Sequence, residues 1–199
     1  MTLVENVVVK RLGLVPYDSA LASMREFTAR RDAATADELW LLQHPPVYTL
    51  GQGAEMRAVA SDIPVMRSDR GGDITYHGPG QVVLYALVDL ARRGIKVKLF
   101  VWLLEQAVID LVGHGAERSP GAPGVYVGGA KIAALGIRVV RGRAYHGLSL
   151  NVDMDLAPFN AIDPCGYPGL KVTQMKDLGL STRRVGERLA EILIEKLDA

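Results

Sequence analysis

Apolar residues recur along the chain with two different periods, and the period changes mark its elements. After Pro16, Ala20, Leu21, Met24 and Phe27 stand at helical spacing, which predicts a helix over Tyr17–Arg31, preceded by a short strand over Asn6–Arg11. A second amphipathic helix is predicted over Val97–Val112, where Phe100, Leu104, Ala107, Val108, Leu111 and Val112 fall on one face and Gly113 ends the run. Near the C-terminus Ser181 offers an N-cap, after which Val185, Leu189, Ile192 and Leu193 line one side of a third helix. Val82–Val88 is apolar at both parities, as expected of a strand covered on both faces near the centre of a sheet. Val125–Val152 alternates through three strand-like runs broken at Gly128, Gly129 and Gly142, an antiparallel meander. The runs Leu39–Leu42 and Val47–Leu50 flank Pro45 and Pro46 and are expected at strand ends or sheet edges around a turn. The Gly- and Pro-rich stretch Gly113–Gly124 is expected to be a loop. The pattern is that of an α+β fold in one domain, with no internal repeat and no linker.

Composition narrows the function classes. With 23 basic and 22 acidic side chains in 199 residues, the net charge of +1 excludes a strongly basic nucleic-acid module. Charges or glycines interrupt every apolar run well short of a membrane span, and the N-terminal residues lack the apolar core of an export signal, so a cytoplasmic protein with no membrane partner is expected. The single cysteine, Cys165, forbids an intramolecular disulfide and a multi-cysteine zinc site, and neither the histidine spacing nor a carboxylate pair fits another metal pattern.

Three places could carry chemistry. The segment Asp69–Gln81 packs four glycines and a proline around polar side chains, and such glycine density lets backbone approach a ligand closely. It has neither a P-loop ending nor a dinucleotide fingerprint, so ATP and NAD are not indicated, and an ordinary glycine hairpin remains the commoner reading. If Asp73–His77 is extended, Asp73, Thr75 and His77 share one face and Ile74 and Tyr76 the other. Lys131 has Ala133, Leu135, Ile137 and Val139 as parity partners, which puts a lysine on an apolar face; it is either an acid/base candidate or a strand-end lysine whose amine snorkels to water. Cys165 sits in Asp163-Pro164-Cys165-Gly166-Tyr167-Pro168-Gly169, a turn that presents the thiol on a loop, where a cationic partner would raise its thiolate fraction. His44 and His114 read as loop histidines without assigned chemistry, His146 as a core histidine in phase with Leu148, Leu150 and Val152, and His77 as the better site candidate. Arg92, Arg93, Lys96 and Lys98 form a basic stretch that is either a solvated face or a contact for an acidic protein.

Three segments, Arg70–Gln81 (RGGDITYHGPGQ), Gly124–Val152 (GVYVGGAKIAALGIRVVRGRAYHGLSLNV) and Asn160–Met175 (NAIDPCGYPGLKVTQM), together resemble the octanoyltransferase family of protein lipoylation. The resemblance spans nearly the whole chain. It implies one catalytic acyltransferase domain over residues 1–199, folded like biotin and lipoate ligases, with a sheet and flanking helices enclosing an acyl pocket. It implies Cys165 as acyl-thioester nucleophile and Lys131 as its activator, with no cofactor. Substrate-binding residues would be Arg70, Gly71, Gly72, Asp73, Ile74, Thr75, Tyr76 and His77, then Ala134, Leu135 and Gly136, then Gly147, Leu148 and Ser149. Octanoyl acyl-carrier protein would be the donor, and lipoyl domains of 2-oxoacid dehydrogenase complexes and the glycine cleavage H protein the acceptors. Backbone N–H groups near Gly71 and Gly72 or beside Lys131 are candidate oxyanion donors. The alternatives are an ATP-dependent lipoate or biotin ligase, in which Cys165 would be incidental, a thioesterase, and a noncatalytic carrier-binding protein.

Overall fold

The computed structural model describes residues 7–55, 59–113, 115–162 and 169–199. Strand β1 (Val8–Leu14) leads to helix α1 (Tyr17–Arg30), then β2 (Glu38–Gln43), β3 (Val47–Leu50), β4 (Val65–Arg67), β5 (Ile74–His77) and β6 (Gln81–Asp89). A single helical turn, α2 (Leu90–Arg93), and the long helix α3 (Val97–Val112) precede β7 (Ala116–Ser119), β8 (Ala122–Val127), β9 (Ala130–Val140) and β10 (Arg143–Asn151), and α4 (Val185–Leu197) closes the chain. Seven strands form one sheet in the order β1-β2-β6-β10-β9-β8-β7, and β4-β3-β5 form a small second sheet. All neighbours in the large sheet are antiparallel except β1 and β2.

At its centre, in β2 and β6, the large sheet is buried on both faces, and alternation divides the side chains between two cores. Leu39, Leu41, Leu84, Ala86 and Val88 pack with Phe100, Leu104 and Val108 of α3 and Leu189 and Leu193 of α4. Trp40, Leu42, Val83, Tyr85 and Leu87 turn the other way, onto Tyr17, Leu21 and Met24 of α1. Each fully buried side chain of this size contributes roughly 1.5–3 kcal/mol. A third cluster joins the small sheet, through Tyr48, Leu50, Ile74 and Tyr76, to Phe159 and Met154.

The mixed fold, the doubly covered β6, the helices and the meander follow the expected pattern. Two hairpins of the meander turn through Gly128–Gly129 and Arg141–Gly142, all four at positive φ, the geometry of a two-residue turn that matches strand twist. Four expectations are corrected. The strands flanking Pro45 and Pro46 are interior: β2 lies between β1 and β6, β3 between β4 and β5, because the prolines fall in the short connection rather than in a ladder. Gly113–Gly124 is no loop but holds β7 and the start of β8; Pro123 is tolerated there because the ladder shifts register between Arg118 and Ser119, where no proline N–H is needed. The C-terminal helix is capped at Arg184 in a left-handed conformation, not at Ser181. The first strand runs to Leu14, past Arg11, because a bulge between Arg11 and Gly13 keeps it paired with β2; Asn6 lies outside the described residues.

Candidate active site

The glycine-rich loop lies across the sheet beside β9. Gly71 N–H donates to Ile137 O (3.0 Å), and the Arg70 guanidinium donates to Thr49 O (2.6 Å) and Gly71 O (2.9 Å), pinning the loop to β3. A side chain at Gly136 would stand 2.8 Å from Gly71 O, so glycine is needed where loop and strand meet. Between them opens a cavity lined by Arg70, Gly72, Asp73, Thr75 and His77 from the loop and β5, by Ala134–Gly136 of β9, and by His146–Ser149 of β10. Asp73, Thr75 and His77 thus share the cavity face, while Ile74 and Tyr76 pack into the third cluster, and Gly71 lines a neighbouring cleft with Val101 and Pro123.

Tyr17, Val83 and Tyr85, which nothing in the sequence marks as site residues, also line this cavity, as does His146, expected as a core histidine. Their signal was faint: Val83 and Tyr85 share a parity of β6 that reads as plain core. His146 is the clearest departure. Its φ of +62° breaks the strand alternation that would have aligned it with Leu148 and Leu150, and turns its ring onto the cavity wall. His146 Nε2 donates to Asp69 Oδ1 (2.7 Å), and the Asp69 carboxylate also accepts from Tyr145 Oη (2.6 Å) and Arg25 Nε (2.9 Å). Burial would raise Asp69, but these hydrogen bonds outweigh it and hold the carboxyl well below its usual range. Burial lowers His146 despite that partner, so the pair is a neutral imidazole bound to a carboxylate. His44, although in a connection as expected, is wholly buried, between Val15 O (2.6 Å) and Tyr85 Oη (2.7 Å). His77 bonds Gln81 Oε1 (2.7 Å) and Thr49 Oγ1 (3.3 Å), and burial pushes it down to about 3.

Lys131 is 3% exposed, yet it does not share the face of Ala133, Leu135 and Ile137. Val125 faces Ala133 while Tyr126 faces Lys131, so Ile132 is an extra residue, a bulge that resets the alternation. Ile132 and Ala133 both enter the main core, and Lys131 extends over Gly124, where a Cβ would come within 2.9 Å of its Cε. Its Nζ donates to Pro123 O (3.1 Å) and lies 5.2 Å from the Tyr126 ring centre. Its backbone pairs with the segment that follows the cysteine loop: Lys131 N–H donates to Lys171 O (2.8 Å) and Thr173 N–H to Lys131 O (3.0 Å). The N–H groups of Gly71 and Lys131 are thus both engaged within the backbone. Cys165 and His114 lie outside the described residues.

The catalytic-domain model of lipoyl protein ligases A and B matches residues 16–194. An octanoyltransferase of Aromatoleum aromaticum is 58% identical over 194 residues, covering 94% of this chain and 84% of that protein. The chain belongs to the octanoyltransferase family. This octanoyltransferase-family fold extends to far more distant proteins. A bipartite lipoate protein ligase of Thermoplasma acidophilum, described with its E2 lipoyl domain, superposes with a TM-score of 0.74 at 16% identity, over 97% of this chain and 84% of that one. A biotin protein ligase from Aquifex aeolicus gives 0.56 at 9% identity, over 98% and 71%. These likenesses bear out the ligase-like α+β architecture. Like its close relatives, this member of the octanoyltransferase family is an acyltransferase.

The basic stretch divides in two. Arg92 and Arg93 bind the buried Asp37 carboxylate, together with Arg31, whereas Lys96 and Lys98 are exposed. Among the described residues no helix is long and apolar enough to cross a membrane.

Proposed function

We propose that the protein carries an octanoyl group from an acyl-carrier thioester, through a thioester on Cys165, to a lysine amine of a lipoyl domain in 2-oxoacid dehydrogenase complexes or the glycine cleavage H protein. One observation carries the reading: Lys131 is buried with its Nζ bonded to Pro123 O, and its backbone is paired to the chain that leaves the Cys165 loop. Cys165 stands six residues before Lys171 in sequence, within about 20 Å of extended chain.

In this mechanism Lys131, as its neutral amine, takes the thiol proton of Cys165, and the thiolate attacks the donor carbonyl. The tetrahedral adduct collapses, the pantetheine thiolate leaves, and Lys131 returns the proton to it. The acceptor lysine, entering as a neutral amine, then attacks acyl-Cys165. Its proton passes through Lys131 to the departing Cys165 thiolate, leaving an amide. Because the acyl group arrives as a thioester, no nucleotide is required.

Intact-protein mass spectrometry after mixing with octanoyl acyl-carrier protein, without ATP, tests this. One octanoyl group should be gained by the parent and not by Cys165→Ala, and should pass to an added apo lipoyl domain. Transfer that requires ATP and free octanoate would make the protein a ligase instead. Lys131→Ala should fold but acylate Cys165 at least a hundredfold more slowly, in line with the loss of a general base; unchanged acylation would remove Lys131 from the mechanism.

A further inference from the structure

The register of β9 against β10 supplies a scale along the cavity wall. Along this wall the Ala134–Ser149 pair stands three residues from Lys131, and His146, paired with Ile137, marks the end six residues away. At about 3.3 Å per residue, Ala134 to Ile137 spans roughly 10 Å. An extended eight-carbon chain, with bonds near 1.5 Å, covers about 9 Å.

What closes the far end is polar and locked. Tyr17 Oη donates to Ser68 Oγ (2.6 Å), Tyr85 Oη is held by His44 (2.7 Å), and both nitrogens of His77 are bonded. His146 lies against these rings, 5.8 Å from the Tyr85 ring centre and stacked on Tyr145 at 5.0 Å. Its Nε2 is committed to Asp69, which leaves Nδ1 as a lone-pair acceptor, and that atom is buried with no hydrogen-bond partner among the described residues. The residue thus combines a left-handed backbone in mid-strand with an orphaned buried acceptor, and a plain core side chain would incur neither.

We infer that His146 is the end stop of the acyl cavity, fixing the accepted chain at about eight carbons. The inference rests on the proposed acyl transfer for its substrate, and on strand register for its position. A ninth or tenth methylene gains no apolar partner at this end. It meets an imidazole that cannot swing aside, because Asp69 and Tyr145 hold it, and an acceptor atom that no methyl group can satisfy. His146 acts here as a specificity-determining residue and takes no part in the proton transfers.

The test compares carrier-bound acyl groups of 8, 10, 12 and 14 carbons as donors to an apo lipoyl domain, for the parent and for His146→Asn and His146→Gly. Both replacements accept positive φ and shorten the side chain. The parent should lose at least a hundredfold in kcat/KM between 8 and 12 carbons, and in either variant the 12-to-8 ratio should rise at least tenfold. A flat parent profile, or an unchanged ratio in folded variants, overturns the end stop. A separate readout needs no turnover: the rise in Tm caused by free fatty acids should peak at octanoate in the parent and move to longer acids in His146→Gly, and a peak that does not move also overturns it. Failure of the parent to transfer any acyl thioester would count against the proposed function, while the Tm series still judges the stop.

Discussion

At Gly136 one hydrogen atom separates a working cavity from a blocked one. A methyl group there would sit 2.8 Å from Gly71 O and 3.1 Å from Arg70 Cδ, and Arg70 is bonded to Thr49, so the loop must yield. Gly136→Ala should lower kcat/KM for acyl transfer about tenfold to a hundredfold, the scale of a small misplacement of a binding wall, with a smaller drop in Tm than the same change at Gly147. Steady-state kinetics beside a thermal melt separates these effects; normal kinetics would mean that the loop does not shape the cavity. Gly147 is a different case, because its added Cβ would fall 2.2 Å from Leu84 O in the middle of the sheet. Gly147→Ala should therefore lose stability outright, visible as a drop of several degrees in Tm before any kinetic effect is read. The sequence made the glycine loop and Lys131 legible as types of residue. The faces of Lys131 and His146 were not legible, since each sits at a break in strand alternation that a period of two cannot register.

Among the elements, helices were read nearly to the residue because their stripes are continuous, and β6 was read because both its parities are apolar. β7 was missed because its Ala-Glu-Arg-Ser sequence is that of a short, half-exposed edge strand with no apolar face to detect. One junction holds several elements at once. Asp37, at the entrance to β2, accepts from Arg31 at the end of α1, Arg92 (2.8 Å) and Arg93 (2.6 Å), and Arg93 reaches Leu197 O (3.1 Å) at the end of α4. Burial alone would raise the Asp37 carboxyl, but the hydrogen bonds from Arg93, the Asp89 amide and Arg31 reverse this and lower it. Because the folded value is depressed, the junction stabilises above the ordinary carboxylate range and is lost as pH falls through the lowered one. Asp37→Ala leaves buried guanidinium groups without their counter-charge and should cost about 3–5 kcal/mol in urea unfolding at pH 7. A loss under 1 kcal/mol would show that the three arginines are satisfied without it.

Over the whole molecule, acid sensitivity should begin with histidines rather than carboxylates. His44, His77 and His146 are all lowered by burial, His77 to about 3, so the folded chain keeps them neutral where the unfolded chain takes up protons. The unfolded state then binds more protons, and stability falls as pH drops from about 6.5, by about 1.4 kcal/mol per pH unit for each histidine that stays neutral. For His77 the decline continues towards pH 3. Tm measured from pH 7.5 to 5 should decrease steadily, and His77→Gln should flatten the slope; a level profile down to pH 5 would contradict the burial of these rings.

The extra residue at Ile132 also sets which changes in chain length the strand can absorb. On its N-terminal side β9 keeps step with the Gly128–Gly129 turn, and on its C-terminal side with β10. Losing any other residue between the two hairpin turns would throw one part of the strand out of phase. Losing Ile132 itself would leave Tyr126 opposite Lys131 and Val125 opposite Ala133. Among the 11 residues of β9 it is therefore the slack in the frame, the position where a deletion costs core volume but leaves the lysine pointing the same way.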